Sequence, residues 1–282
     1  MQGIIFVTWE KYLADSFGNA FLSLYRETIG ETASTAPLTS RVYDDAQLLA
    51  GVSAASKLAH FPVDTLLRQY GHYFLINGLT SHLCNYLLRQ AHSGRDLLLL
   101  MRKAHAQMHH SPDELTPPVF GFEFLSQRPN GLVLMYDSHR QLCPVLYGAI
   151  EGAAERFGEA AQIVESTCMR QGAPQCRFEV NFTRTSAPLP HNQTSEQAAQ
   201  ARAKQQLADQ VLSALPNSDG LTLQDLQRVM QHWPVSPELV RPSQLLEALK
   251  HLQYAGLIAS TANQAGDNFA TRRYWRVPRI EM

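Results

Sequence analysis

Residues 119–140 read VFGFEFLSQRPNGLVLMYDSHR. Apolar side chains alternate on both sides of Arg128-Pro129-Asn130-Gly131. A period of two flanking a Pro/Gly turn predicts an antiparallel hairpin. Upstream the period is different. Trp9–Tyr25, Ala46–Leu58 and Pro62–Leu88 carry apolar residues at helical spacing, and Arg95–Met108 reads as a further helix after Gly94. Asp64 behind Pro62 suits a helix start. Downstream, Leu142–Phe157 is helical again. Beyond the break at Gly172 and Pro174, CRFEVNFTR (176–184) reads as a closing strand. Helices first and an antiparallel sheet afterwards make an α+β fold.

The composition shifts once. TRTSAPLPHNQTSEQAAQ (183–200) has no aliphatic periodicity and reads as a linker. The expected domains are therefore 1–182, a linker at 183–199, and 200–282. The last part reads as a helix over Gln200–Leu215 and a second capped by Thr222. A third runs from Pro242-Ser243 to Gly256, and strands at 257–260 and 273–277 flank ANQAGDNF. Three helices and a hairpin are the pattern of a winged helix-turn-helix domain.

The chain has 282 residues, 45% of them hydrophobic, with 24 Lys plus Arg against 25 Asp plus Glu. This excludes a mainly disordered chain and a uniformly basic nucleic-acid binder. Apolar runs such as Leu97–Met101 fall far short of the ~20 residues of a membrane span. Met1–Tyr12 has no basic leader region, so no signal peptide and no membrane partner are expected. Four cysteines, at 84, 143, 168 and 176, are too few to build a fold of this size and suit a reducing cytoplasm. There is no phosphate loop, no HExxH and no catalytic triad, so the chain is not expected to be an enzyme.

Three features carry chemistry. Tyr136, Ser138 and Arg140 alternate along the second hairpin strand or its end, which would place two hydroxyls and a guanidinium on one face. Such a set can clamp a carboxylate or phosphate, although a solvated strand face reads the same way. His105 lies late in LLLLMRKAHAQM (97–108), as a surface histidine or as a metal ligand, with His109 and His110 as neighbours. Pro117-Pro118 forms a stiff apolar corner.

Taken in order, MQGIIFVTW (1–9), the helical His, PP and YxSxR resemble the heme-nitric oxide/oxygen-binding (H-NOX) family, the sensor domain related to soluble guanylate cyclase. The resemblance spans about residues 1–182. It implies an N-terminal helical heme domain with heme b as cofactor and His105 as proximal iron ligand. It gives Tyr136, Ser138 and Arg140 to the heme propionates, and Pro118 to the contact that distorts the heme. It places Ile5, Trp9 and Phe74 at the pocket wall. Oxygen-binding members carry a distal Tyr nine residues after the Tyr of the motif, and that position here is Val145. Bound O₂ gains from a hydrogen-bond donor more than NO does, so an apolar pocket implies NO and CO binding with O₂ excluded. Tyr147 is the nearest hydroxyl by sequence.

Cys168 and Cys176 flank a Gly/Pro turn, and with Cys143 they offer three thiolates for a Zn²⁺ ion. The spacing resembles a zinc and redox site in a bacterial subgroup of the family, where a His stands at the position of Glu165. Zinc or redox switch and buried structural thiols are both open. Cys84 reads as core. The 200–282 segment holds nine basic and seven acidic residues. Arg272, Arg273, Arg276 and Arg279 gather at the wing, and Lys250 lies on the expected recognition helix. DNA and a signalling protein are both open as its partner. The expected function is a heme-based NO sensor. A thiol/zinc redox sensor and a heme-free ligand-binding or adaptor module are the alternatives.

Overall fold

The computed structural model describes residues 1–32, 35–39, 41–108, 115–128, 130–185, 195–261 and 271–277. They form two compact units that do not follow chain order. The first takes Met1–Ser81, Ser93–Leu98 and Pro118–Pro188, and the second His82–His92, Leu99–Pro117 and Leu189–Met282.

The first unit begins with α1 (Gly3–Phe17) and α2 (Asn19–Thr28) where one helix was expected. Gly18 has a φ of 90°, which ends the first helix and turns the chain into the second. Helix α3 (Asp45–Ala59) is capped by Asp44, whose side chain accepts from the Ala46 amide. The single helix expected over Pro62–Leu88 is three: α4 (Val63–Ile76), α5 (Gly78–Leu83) and α6 (Asn85–Leu88). The break has a local cause. The Asn77 side chain accepts from the Thr80 amide and donates back to the Tyr73 carbonyl, so it competes with the helix ladder.

The sheet contains β1 (Val119–Phe124), β2 (Gly131–Asp137), β3 (Glu159–Thr167) and β4 (Cys176–Arg184), in the antiparallel order β1-β2-β4-β3. The hairpin and β4 stand where the sequence puts them. Strand β3 was not expected: EAAQIVEST is a mostly exposed edge strand, and its alternation is too weak to read alone. Helix α8 (Cys143–Arg156) links β2 to β3 and packs on α4 and β3. The α4–α8 crossing is made backbone to backbone. A Cβ at Gly148 would lie 1.8 Å from the Arg68 carbonyl oxygen, and one at Gly71 would lie 2.0 Å from that of Val145.

The second unit holds α7 from Leu99 onward (the helix runs Gly94–Met108), α9 (Ser195–Ala214), α10 (Leu223–Met230) and α11 (Pro242–Tyr254). Its strands β5 (Leu221–Thr222), β6 (Ile258–Ser260) and β7 (Arg273–Arg276) pair in the order β5-β7-β6. Thr222 caps α10 as expected, within a reciprocal capping box with Asp225, and it also lies in the unexpected strand β5. The core gathers Val211, Leu226, Leu245, Leu249 and Tyr274, and it includes Tyr86. Tyr86 donates to Asp209 at 2.8 Å, so the 82–92 segment buries its apolar face within this unit. No helix among the described residues is long and apolar enough to cross a membrane.

Candidate functional site

In the first unit, Trp9 is the centre of an aromatic cluster. Its ring meets Tyr70 edge-on with centroids 5.3 Å apart, and Tyr12 lies 5.5 Å away. Ile5, Phe74 and Val145 pack against the same cluster. The four expected wall residues Ile5, Trp9, Phe74 and Val145 are thus brought together. Pro118 is half-buried just ahead of β1. Tyr147 lies outside the cluster, with the Arg68 guanidinium 4.2 Å from its ring centroid.

The cluster has three hydroxyls, of Thr8, Tyr25 and Tyr70, that the sequence reading missed. The Tyr70 hydroxyl donates to the Ile5 carbonyl at 2.9 Å and meets Thr8 Oγ1 at 2.9 Å. The Trp9 indole N–H donates to the Tyr25 hydroxyl at 3.2 Å. Burial pushes both phenols far above their usual range, so they stay neutral. The i, i+4 spacing of Tyr70 and Phe74 was the one available signal, since it places both rings on one side of α4.

Only Tyr136 of the YxSxR motif lies in the strand. Strand β2 ends at Asp137, Ser138 is just beyond, and His139-Arg140 form a turn. Strand alternation therefore does not place all three on one face, and the turn aims Arg140 instead. Tyr136 is buried opposite Cys176 in the β2–β4 register. Burial raises its pKa to about 12, against a hydrogen bond with Ser138. The Arg140 amide donates to Ser138 Oγ at 3.3 Å.

The Arg140 guanidinium is committed in a way the sequence did not foretell. Its Nε donates to Asp45 Oδ2 at 2.6 Å, and His139 Nε2 lies 3.2 Å from the same oxygen. Asp45 sits in the first turn of α3, where a carboxylate is also favoured by the helix dipole. Burial works to raise its pKa, but the bonds from Arg140 and His139 outweigh burial and hold it below the usual carboxylate range.

The three expected cysteines converge. Cys168 Sγ lies 3.7 Å from Cys143 Sγ and 3.9 Å from Cys176 Sγ. Glu165 completes a group whose ligand atoms all lie within 4.8 Å of one another. Cys143 and Cys176 are buried, Cys168 is half-buried and Glu165 is exposed. Burial raises the Cys143 thiol well above its usual range, with both neighbouring thiols adding to the effect, and raises Cys176 to about 11 against hydrogen bonds from the Met169 amide and Cys143. Cys84 stands apart, half-buried.

In the second unit, His105 is half-buried on α7. Its Nδ1 lies 2.7 Å from the Met101 carbonyl oxygen one turn back. His109 and His110 are outside the described residues, as is Arg279. At the expected wing, Arg272 is buried and Arg276 half-buried. Arg273 donates to the carbonyls of Asp219 and Gly220 at 3.1 and 2.9 Å. Lys250 is half-buried on α11.

With this geometry in view, the comparisons are decisive for the family. The haem-NO-binding (HNOB) family model matches residues 2–165, more than half of the chain. The chain belongs to this family, the H-NOX proteins. Its fold resembles that of an H-NOX protein from S. oneidensis in the Fe(II)NO state, at 23% identity and a TM-score of 0.58, covering 65% of this chain and 100% of that one. An Fe(II) unliganded H-NOX protein from K. algicida matches at 20% identity and a TM-score of 0.56, covering 67% and 100%. An oxygen-binding H-NOX domain related to soluble guanylate cyclases, in its oxygen complex, matches at 19% identity and a TM-score of 0.57, covering 69% and 100%. No curated protein matches. NO-bound and O₂-bound relatives fit about equally well, so the fold does not select the gas.

The Asp45 shift gives a pH prediction. Its folded-state pKa is depressed, so its contribution to stability is full above the unfolded value of about 3.9 and is lost as pH falls through the lower folded value. Asp45→Asn should lower the urea midpoint near neutral pH, and the gap to the parent should close in acid. A gap that stays constant with pH would mean that the carboxylate charge does not supply the stabilisation.

Proposed function

We propose that the protein is a heme-based gas sensor that takes NO and CO and excludes O₂. Residues 1–182 would sense, 183–199 would link, and 200–282 would carry the output as a winged-helix-like domain. When bound, heme b supplies a ferrous iron with one position open to a diatomic gas.

One observation carries the heme reading: the haem-NO-binding family model matches residues 2–165, a stretch that includes His105 on α7. His105 would hold the iron. Tyr136, Ser138 and Arg140 supply two hydroxyls and a guanidinium, a donor set suited to propionate carboxylates. Arg140 would then be shared between a propionate and Asp45, which keeps the fork in place before the group arrives. Ile5, Trp9, Phe74 and Val145 would line the pocket, with Pro118 pressing on the ring.

Two features support the exclusion of O₂. Val145 has no donor to offer a bound O₂, and Phe74 has none either. The Tyr70 hydroxyl and Trp9 N–H are already committed to the Ile5 carbonyl and the Tyr25 oxygen. For the output, the helix and strand order α9-β5-α10-α11-β6-β7 supports a winged-helix reading. Burial of Arg272 and the backbone bonds of Arg273 favour a signalling protein over DNA as its partner.

A second reading rests on the sulfur cluster. Cys143, Cys168, Cys176 and Glu165 match a tetrahedral Zn²⁺ donor set in type and number. The raised thiol pKa values keep Cys143 and Cys176 protonated until a cation displaces the protons. Such a site would be a redox switch beside the heme function.

Replacing His105 by Gly should abolish axial ligation in the reduced heme spectrum, and added imidazole should restore it. A spectrum unchanged by the substitution would remove His105 from the role. Cys168→Ser should lower the zinc content of purified protein by one equivalent. An equal content in parent and variant would assign the cysteines to packing.

A further inference from the structure

A second group of metal-binding side chains lies in the second unit, apart from heme and sulfur residues. His82, at the end of α5, and Glu247 and His251, on α11, place their ligand atoms within 4.8 Å of one another. Glu247 and His251 are four apart on one helix, so they share a face. His82 Nε2 is 3.8 Å from Glu247 Oε1, and the two imidazole rings are 5.7 Å apart between centroids.

His251 points to a ligand independently of the spacing. It is only 4% exposed, and its Nε2 is buried without a hydrogen-bond partner. A buried polar atom left unpaired loses its hydration without recovering a bond, which is destabilising. Burial lowers its pKa to about 4, against the pull of the Glu247 carboxylate, so the ring is neutral and able to donate an electron pair. His82 is exposed and leaves a side of the group open to water.

We propose that His82, Glu247 and His251 form a binding site for a divalent transition metal of the zinc class. Two imidazoles and one carboxylate are a zinc donor set that keeps a fourth position for water. With bonds of ~2.0–2.1 Å, a tetrahedral zinc separates its donors by roughly 3.3 Å, so 3.8 Å between His82 and Glu247 is near coordination spacing. The metal would satisfy the orphaned His251 nitrogen and fasten the end of α5 to α11. Lys204 Nζ is the competitor: it donates to Glu247 Oε1 at 2.8 Å. The metal must take the other carboxylate oxygen or displace the ammonium.

The test is equilibrium dialysis of the full chain against zinc, carried out in the Cys168→Ser protein so that sulfur-bound zinc does not hide the result. One equivalent should bind. His82→Gln and His251→Gln should each weaken it at least about tenfold, and Lys204→Met should strengthen it. Cobalt in place of zinc should give ligand-field bands without thiolate charge transfer. His82 is exposed, so its variant keeps the test valid even if His251→Gln fails to fold. The proposal is overturned if no zinc binds, if His82→Gln leaves the affinity unchanged, or if all bound cobalt shows thiolate bands.

Discussion

The first unit depends on the crossing of α4 and α8. The Gly148 and Gly71 positions leave no room for a side chain, so the two backbones meet directly. That contact fixes α8, and the start of α8 serves two regions. Cys143, its first residue, turns into the sulfur cluster, and Val145 turns into the Trp9 cluster. A shift of this helix would therefore disturb both. Tyr147, two residues further along, is carried to Arg68 and away from the aromatic cluster by the same helix geometry. The identity of the residue facing the cluster is thus a consequence of how α8 is seated.

Much of this was legible from residues. The hairpin around Arg128–Gly131 and strand Cys176–Arg184 stand where the sequence puts them: a Pro/Gly turn marks the hairpin, and the period-two pattern of Cys176–Arg184 matches alternating burial along that strand. The edge strand Glu159–Thr167 was not, because it is largely solvated and its ladder with β4 does the work that a buried face does elsewhere. The helix over 62–88 was overestimated: Asn77 offers the backbone an alternative partner, and a periodicity count does not register that. Grouping 82–92 with the C-terminal helices is a tertiary outcome, decided by where Tyr86 finds a core.

Site residues divide in the same way. The approach of Cys168 to Cys176 follows from the Gly/Pro turn that the sequence suggests, and Cys143 joins them from the start of α8. The pairing of Arg140 with Asp45 does not, since the two are ninety-five positions apart and nothing local links them. The chain's near-zero net charge likewise conceals specific local uses of charge. Arg140 is held by a carboxylate, Arg273 by backbone carbonyls and Lys204 by Glu247.

The central claim is that ferrous heme in this chain binds NO and CO but not O₂. Absorption spectra of the reduced, heme-loaded protein under each gas test it directly. The account predicts a Soret band that shifts under NO and under CO and gives no stable oxy form in air. A chain that takes up no heme, or a stable oxy spectrum in air, would contradict it.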